Sequence, residues 1–336
     1  RRLLSTTAIV AELRRVVCDP AERPLRREQA ARQLARLARA GVYGADPEDW
    51  WGMRGASTRE PLQKPRRSVQ LSPSRIESTL RCPLRSVLDR LVDDADTPIH
   101  MVRGTLAHGF AEAIARGADS DAASALVYEA YAGLLDVPVW QRETALREWD
   151  TLIDNLERWL ENTRGQFEQV GVEMDMRVSV GTTESGAPLR IKGRMDRLER
   201  NNDGELVVVD VKTGSSKPAQ KNMGEHAQLS AYQLALSRGV VDGDRVRDPY
   251  PGETPEAVGG GVLVYPSATD VGKYTTREQA AKTPEELEEL AAMLPGVAAA
   301  IRGPALTAIV NDNCDNCRLQ SICPAQPTGR MLTNGS

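Results

Sequence analysis

The chain has 336 residues, of which 27% are charged and 40% belong to the hydrophobic set, the balance of an ordinary globular protein. A chain of this length can bury a core without needing disulfides or a metal in order to fold. Its formal net charge of −4 argues against a protein that coats nucleic acid through bulk charge, although a local basic region could still bind DNA. No apolar run approaches the roughly 20 residues that span a bilayer, so we expect no membrane partner.

The five cysteines form an odd set, and no secretory signal pattern opens the chain. This usage favours a reducing compartment, which predicts a cytoplasmic location, and metal ligation over a disulfide framework. The first residue is Arg1 and not Met, which suggests a piece of a longer polypeptide. Between residues 54 and 90 we count nine Lys or Arg against three Asp or Glu, a stretch that could contact DNA.

Residues 5–18 and 24–40 read as two amphipathic helices, the second ending at Gly41. A loop rich in Gly, Pro, Trp and Arg follows over about 42–70 and is the best candidate for a domain boundary. We therefore predict a helical segment with a linker over residues 1–66, and the main domain over 67–336.

The main domain is predicted to begin with helices. Ser72 can cap the first of them, and Pro73 suits its first position. An apolar stripe predicts that this helix continues to about residue 91: Ile76, Leu80, Leu84, Val87 and Leu91. Three more helices are predicted at about 101–116, 121–135 and 139–164.

At residue 172 the hydrophobic period changes from 3.6 to 2, which indicates a half-buried strand. Later elements are predicted as strands at about 188–200 and 205–211, a helix at 225–238, a strand at 261–265 and a helix at 284–302. Helices, a meander of strands, and then helix and strand indicate an α/β or α+β layout.

The most informative stretch joins the second and third predicted strands. If residues 202–204 form a three-residue loop with Gly204 left-handed, Asn201 pairs with Glu205. Counting outward on that register places Asp196 directly opposite Asp210, with both side chains on one face. Lys212, two residues further on, lies on the same face.

Two carboxylates about 5 Å apart repel each other and are uncommon in strand interiors. A divalent cation such as Mg²⁺ or Mn²⁺ resolves the conflict, because hard cations prefer oxygen ligands. Such a cation can acidify a bound water and stabilise charge on a phosphate, with Lys212 positioning or activating the nucleophile. The alternative is an exposed hairpin with a surface ion pair.

Three further side chains are candidate site residues, and each of them also has an ordinary structural explanation. His108 begins a predicted helix and, taken alone, is more often a satisfied polar residue than a ligand. Gln228 and Tyr232 lie four apart on one helix face, which is also the pattern of an amphipathic helix packed on a sheet.

The cysteines form a second constellation. Cys314, Cys317 and Cys323 have the spacing C-x₂-C-x₅-C, and Cys82 lies far upstream. Three closely spaced thiols indicate a metal site whose fourth ligand comes from elsewhere. Four thiolates suit zinc or a 4Fe–4S cluster, and spacing does not choose between them. Cys18 is left over as an inert helix cysteine.

Together these motifs resemble the RecB-type nuclease branch of the PD-(D/E)xK superfamily, specifically its iron–sulfur members. The resemblance covers roughly residues 70–326 and rests on six motifs in the same order. They lie at residues 71–77 with 82–85, 103–108, 193–197, 210–214 and 228–232, and at the closing cysteines. One departure is Met195, which stands where the superfamily name has Pro. The implied fold is α/β, a central mixed sheet flanked by helices, with a helical N-terminal segment.

The resemblance also implies roles for individual residues. His108, Asp196 and Asp210, with the backbone carbonyl of Val211, would hold the catalytic Mg²⁺ or Mn²⁺, and Lys212 would position the water or stabilise the transition state. Gln228 and Tyr232 would order the site and contact the DNA strand. A 4Fe–4S cluster would be held by four residues: Cys82, Cys314, Cys317 and Cys323.

The resemblance is strongest to the C-terminal nuclease region of an AdnAB-type or AddB-type helicase–nuclease subunit. The first 60 residues, with Trp50 and Trp51, are similar to the segment that joins helicase to nuclease in actinobacterial AdnAB-type enzymes, which process double-strand breaks. The sequence has no phosphate-binding loop, so we expect a motor elsewhere in the polypeptide or on a partner that delivers single-stranded DNA. The leading hypothesis is a metal-dependent deoxyribonuclease. The alternatives are a catalytically silent DNA-binding scaffold that keeps the cluster, and a zinc-stabilised protein with no nucleic-acid role.

Overall fold

The computed structural model describes residues 5–50, 60–62, 68–91 and 99–326. The chain divides into two compact units. The first comprises residues 1–64, 81–87 and 302–336, and the second comprises 65–80 and 88–301. No helix among the described residues is long and apolar enough to cross a membrane.

The first unit opens with a helical hairpin. Its helices are α1 (Thr6–Cys18) and α2 (Pro24–Arg39), which confirms the two helices predicted from the sequence. They enclose a small apolar cluster of four buried residues: Val10, Leu34, Ala45 and Trp50. The indole N–H of Trp50 donates a 2.8 Å hydrogen bond to the carbonyl of Gly44, which satisfies its buried polar atom.

The helix predicted from residue 72 to about 91 is wrong in its length. The structure has α3 (Pro73–Arg81) and then a separate α4 (Pro83–Leu88), with Cys82 between them. The hydroxyl of Ser72 accepts a hydrogen bond from the backbone N–H of Arg75, as predicted for the cap. Pro83 causes the break, because proline cannot donate an intrahelical hydrogen bond and restricts the residue before it.

Three helices form one layer of the second unit: α5 (Ile99–Ala115), α6 (Ser120–Leu134) and α7 (Val139–Thr163). Their core is aromatic and aliphatic, and the ring of Trp149 stacks on Tyr131 with centroids 4.7 Å apart. Val209 and Val211 of the sheet belong to the same cluster. The layer therefore covers the sheet where the strand carrying the predicted site ends.

The sheet has eight strands among the described residues. They are β1 (Val69–Leu71), β2 (Phe167–Thr182), β3 (Pro188–Asn201), β4 (Leu206–Val211), β5 (Val240–Asp242), β6 (Arg245–Arg247), β7 (Val258–Pro266) and β8 (Tyr274–Ala280). Their order is β5-β6-β2-β3-β4-β7-β8, with β1 paired to β3. Parallel and antiparallel pairs both occur, and helices flank the sheet, which confirms the predicted α/β fold class. Four of these strands were not predicted from the sequence: β1, β5, β6 and β8.

Helix α8 (Ala227–Arg238) packs on the sheet and is buried along most of its length, and α9 (Pro284–Arg302) follows β8. A methyl group added at Gly261 of β7 would lie 3.1 Å from Leu229. Helix and sheet therefore approach closely at the turn of α8 that carries Gln228.

Candidate metal and catalytic site

The β3–β4 hairpin has the predicted register. Asn201 donates its backbone N–H to the carbonyl of Glu205 at 3.0 Å, and Gly204 has a φ of +81°. Arg197 lies opposite Val209 in the ladder, so the next position along brings Asp196 opposite Asp210. The backbone N–H of Val211 donates a 3.0 Å hydrogen bond to Oδ2 of Asp196, which holds that carboxylate against the end of β4.

A cluster of possible metal ligands surrounds Asp196. His108, Glu173 and Asp196 each offer one ligand atom, and these atoms all lie within 4.8 Å of one another. Nδ1 of His108 lies 3.4 Å from Oδ2 of Asp196, although His108 comes from α5 and is 88 positions away in sequence. The structure thus brings the predicted His108 and Asp196 together and adds a carboxylate from β2.

Glu173 was not among the predicted ligands. Val172 pairs with Arg197 and Met174 with Met195, so Glu173 lies between them, level with Asp196. Its backbone has a φ of +48°, the left-handed region that a residue other than glycine rarely adopts. The local distortion coincides with the point where the carboxylate joins His108 and Asp196.

Asp210 is the most buried of the acidic residues at the site. Its residue exposure is 3%, and Oδ1 accepts a 3.0 Å hydrogen bond from Nε2 of Gln228. On the other side, Nζ of Lys212 lies 2.6 Å from Oδ2 of Asp210 and donates a 3.0 Å hydrogen bond to Oε1 of Gln228. Gln228 therefore connects the carboxylate and the ammonium, and α8 fixes all three in one arrangement.

Tyr232 lies one turn further along α8. Its hydroxyl donates a 3.0 Å hydrogen bond to the backbone carbonyl of Arg194 on β3. Burial, and then the negative charges of Asp210 and Asp196, raise the pKa of Tyr232, so the phenol keeps its proton. This contact ties α8 to the strand that carries Asp196.

The electrostatics of the site show a shortage of positive charge. Burial, and then the charge of Asp210, raise the pKa of Asp196 well above its ordinary value. Burial also lowers the pKa of His108, which favours the neutral imidazole that a metal requires. Burial opposes the charge on Lys212, but the adjacent Asp210 outweighs it and the pKa of Lys212 is raised. Lys212 is therefore a protonated donor.

The donor set fits a hard divalent cation. Two carboxylates and a neutral imidazole converge, and Asp210 lies on the neighbouring strand, opposite Asp196. Carboxylate and carbonyl oxygens suit Mg²⁺ and Mn²⁺, and the crowding of buried acids is relieved by such an ion. His108, Glu173, Asp196 and the end of β4 could hold it.

The four predicted cysteine ligands meet in the first unit. Cys82, Cys314, Cys317 and Cys323 line one pocket, together with Asn311 and neighbouring residues. The backbone N–H of Asn311 donates to Sγ of Cys314 at 3.3 Å. In the described part of the chain, no three of these sulfur atoms lie within 4.8 Å of one another. Cys18 is in α1 and does not line this pocket.

This chain is similar to a solved structure and to one family of known proteins. The chain is similar to the crystal structure of SSO0001, and the match covers 78% of this chain and 89% of that chain. The sequence identity is 18% and the TM-score is 0.36. A search of curated proteins gave no match. The family model described as the PD-(D/E)XK nuclease superfamily matches residues 70–324, which include the β3–β4 hairpin and the cysteines. The chain belongs to the PD-(D/E)XK nuclease superfamily.

Proposed function

We propose that this chain is a deoxyribonuclease that hydrolyses phosphodiester bonds with a bound Mg²⁺ or Mn²⁺. The observation that carries the proposal is the convergence of His108, Glu173 and Asp196 beside the Asp210–Lys212 pair. Membership of the superfamily supports a metal-dependent nuclease, and the buried acids explain why a cation is needed. We infer DNA as the substrate from the resemblance to RecB-type nucleases.

Some side chains of the site would bind the ion, and others would stabilise the charge that develops on the phosphate. His108, Asp196 and Asp210, with the carbonyl of Val211, would hold the ion, and we add Glu173 to this set. A divalent ion supplies Lewis acidity: it lowers the pKa of a bound water and offsets charge on the phosphate.

Lys212 acts as a donor in this proposal. Because its pKa is raised by Asp210, it stays protonated at neutral pH and cannot remove a proton from water as a base. It can donate hydrogen bonds to the attacking water or to a phosphate oxygen, whose charge grows in the transition state. Gln228 and Asp210 hold its ammonium in place while it does so.

Direct metal binding tests the centre. We would titrate Mn²⁺ into the wild type, Asp210→Ala and Asp203→Ala, following free Mn²⁺ by electron paramagnetic resonance. Asp203 is the matched control because it is an exposed carboxylate in the turn of the same hairpin. Stoichiometric binding should be lost in Asp210→Ala and kept in Asp203→Ala. Equal binding in all three proteins would contradict the proposed centre and favour the silent scaffold.

We further propose that the four clustered cysteines hold a 4Fe–4S cluster that stabilises the first unit. The proposal is supported by the resemblance to the iron–sulfur members of the RecB-type nucleases and by the four cysteines that line one pocket. Zinc, which also accepts four thiolates, is the alternative occupant.

The cluster proposal is tested by colour and metal content. Anaerobically purified protein should be brown, with broad absorbance near 400 nm and about four irons per chain, as expected for a 4Fe–4S cluster. Cys317→Ser should lose both signals, whereas Cys18→Ser should retain them because α1 lies outside the cysteine pocket. Colourless protein with one zinc per chain would contradict the cluster.

The cellular role that we propose is resection of double-strand breaks within a bacterial, cytoplasmic helicase–nuclease. Support comes from the resemblance to helicase–nuclease subunits. A motor in the same polypeptide or on a partner would deliver single-stranded DNA to the site. The predicted helicase-proximal segment includes α1 and α2, and Trp51 lies outside the described residues. Co-purification of tagged chain with an ATP-dependent helicase tests this role.

A further inference from the structure

A row of cations crosses one face of the sheet beside the metal cluster. Lys192 on β3 lies directly opposite Arg177 on β2, and Arg177 lies directly opposite Arg247 on β6. Like charges directly opposite each other destabilise a sheet. In the adjacent row the pattern differs, because Asp175 stands between Arg194 and Arg245.

The cations in this row differ in whether they make ion pairs with acidic side chains. Arg247 makes ion pairs with Asp242 and Glu253, at 2.8 and 2.7 Å. In contrast, neither Arg177 nor Lys192 makes an ion pair within the described residues, and both are exposed. Two adjacent positive charges therefore face solvent without an anionic partner in the described part of the chain, at a place where their mutual repulsion costs stability.

These residues line an open groove of about 730 Å³. Its charged and aromatic lining consists of Asp175, Arg177, Arg190, Lys192, Arg245, Arg247, Asp248 and Tyr250. Five of these side chains are basic and two are acidic. Tyr250 is 64% exposed, and the guanidinium of Arg247 lies 4.1 Å from the centre of its ring.

The groove lies next to the proposed metal site along β2 and β3. β3 pairs with β4 over Arg197–Arg200, so residues 188–195 extend beyond the end of the ladder where Asp196 meets Asp210. Arg194 connects the two places: its guanidinium lies 3.6 Å from Glu173 of the ligand cluster and 3.3 Å from Asp175 of the groove. A DNA strand bound at the metal site would therefore also reach this extension of the β2–β3 hairpin.

We propose that this groove binds the backbone of single-stranded DNA on one side of the cleaved phosphate. The proposal rests on the proposed nuclease function and adds the path of its substrate. Alternate residues along β3 are about 6.7 Å apart, so Lys192 and Arg190 can contact neighbouring phosphates of an extended strand. Arg177 supplies a third cation, and the exposed ring of Tyr250 offers a surface on which an unpaired base can stack.

Salt-dependent binding tests the groove without cleavage. We would measure the affinity of a labelled 20-nucleotide single strand in EDTA over a series of NaCl concentrations. The variant carries Arg177→Ala and Lys192→Ala. The control carries Arg147→Ala and Arg158→Ala, which remove the same charge from exposed positions on α7. For single strands the slope of log K against log salt is about −0.7 per phosphate contact, so the groove variant should lose about 1.4 of slope.

The outcomes separate this proposal from the nuclease itself. A slope unchanged from wild type in the groove variant, or an equal loss in the control, would overturn the proposal. So would an equal effect on a duplex of the same length, because the inference is specific to a single strand. The pair Arg177→Gln and Lys192→Gln is the second variant should the alanine pair fail to fold. Cleavage with Mn²⁺ is assayed separately, so a wild type that binds but does not cleave contradicts the nuclease and leaves the groove result standing.

Discussion

Nζ of Lys212, a partly exposed side chain, lies 2.6 Å from Oδ2 of the buried Asp210. The ammonium neutralises one of the buried carboxylates, and Asp196 is left with a raised pKa and His108 as its neighbour. The site thus has a lysine on one side of Asp210 and, around Asp196, the groups that need a cation. This division predicts different effects for substitutions on the two sides.

Lys212→Gln should lower kcat by about 100-fold or more, because a donor aimed at developing charge is removed. Mn²⁺ affinity should change little, since Lys212 is not a ligand. Lys217→Gln is the control: this lysine is five residues on and contacts Thr275. Single-turnover cleavage and Mn²⁺ titration check both effects. A kcat within twofold of wild type would contradict the role given to Lys212.

Gln228 and Tyr232 should differ although both lie on α8. Gln228→Ala removes the amide that orients Asp210 and Lys212, so metal affinity or activity should fall by about 10–100-fold. Tyr232→Phe removes a hydrogen bond to the backbone of β3 and should cost about 1 kcal/mol of unfolding free energy, with a smaller effect on activity. Urea unfolding and cleavage assays on both variants distinguish them, and a larger loss of activity in Tyr232→Phe would reverse our assignment.

Asp196→Asn should change how metal-free stability depends on pH. The pKa of Asp196 is raised in the folded state, so its charged form is disfavoured there. This cost is absent below the unfolded pKa of about 3.9 and grows as pH rises toward the folded pKa. In EDTA, the variant should therefore gain stability relative to wild type as pH increases above 4. Urea unfolding at several pH values measures this, and a difference independent of pH would contradict it.

Two glycines should respond in opposite ways to alanine. Gly260 on β7 has a φ of +120°, and an added methyl group would lie 2.3 Å from the carbonyl oxygen of Gln279. Gly260→Ala should therefore destabilise the protein by about 3 kcal/mol or more. Gly296 lies inside α9 with open space around it, so Gly296→Ala should stabilise by up to about 1 kcal/mol. Thermal unfolding of the two variants compares them, and a neutral Gly260→Ala would contradict the close approach.

The register of β3 and β4 could be predicted because the turn determines it. Gly204 supplies the left-handed residue, and the ladder runs without a bulge from Asn201 to Arg197. The position of Glu173 could not be predicted in this way. Counting from the β2–β3 turn pairs Thr182 with Pro188 and would place Arg197, not Asp196, opposite Glu173. A one-residue shift between Ser179 and Gly181 changes that pairing, and the sequence does not signal it.

Other parts of the structure could not be predicted because they depend on contacts between residues that are far apart in the sequence. Nothing in the local sequence places His108 beside Asp196, and that role came from the family resemblance alone. The strands β1, β5 and β6 have three residues each, too short for a periodic pattern. The break at Cys82 was signalled by Pro83, but the apolar stripe across it favoured one helix. All five basic residues at 54–67 lie outside the described residues. The groove on β2, β3 and β6 depends on pairings between distant strands.

The most direct test of the account is cleavage of labelled linear single-stranded DNA by anaerobically purified protein with Mg²⁺ or Mn²⁺. Wild type and Asp210→Ala are compared, with Asp203→Ala as the matched control. The account predicts cleavage by wild type and Asp203→Ala that stops in EDTA, and a loss of at least about 1,000-fold in Asp210→Ala, because the site loses both a ligand and the partner of Lys212. Equal cleavage by wild type and Asp210→Ala, or no cleavage by wild-type protein that binds Mn²⁺, would contradict it.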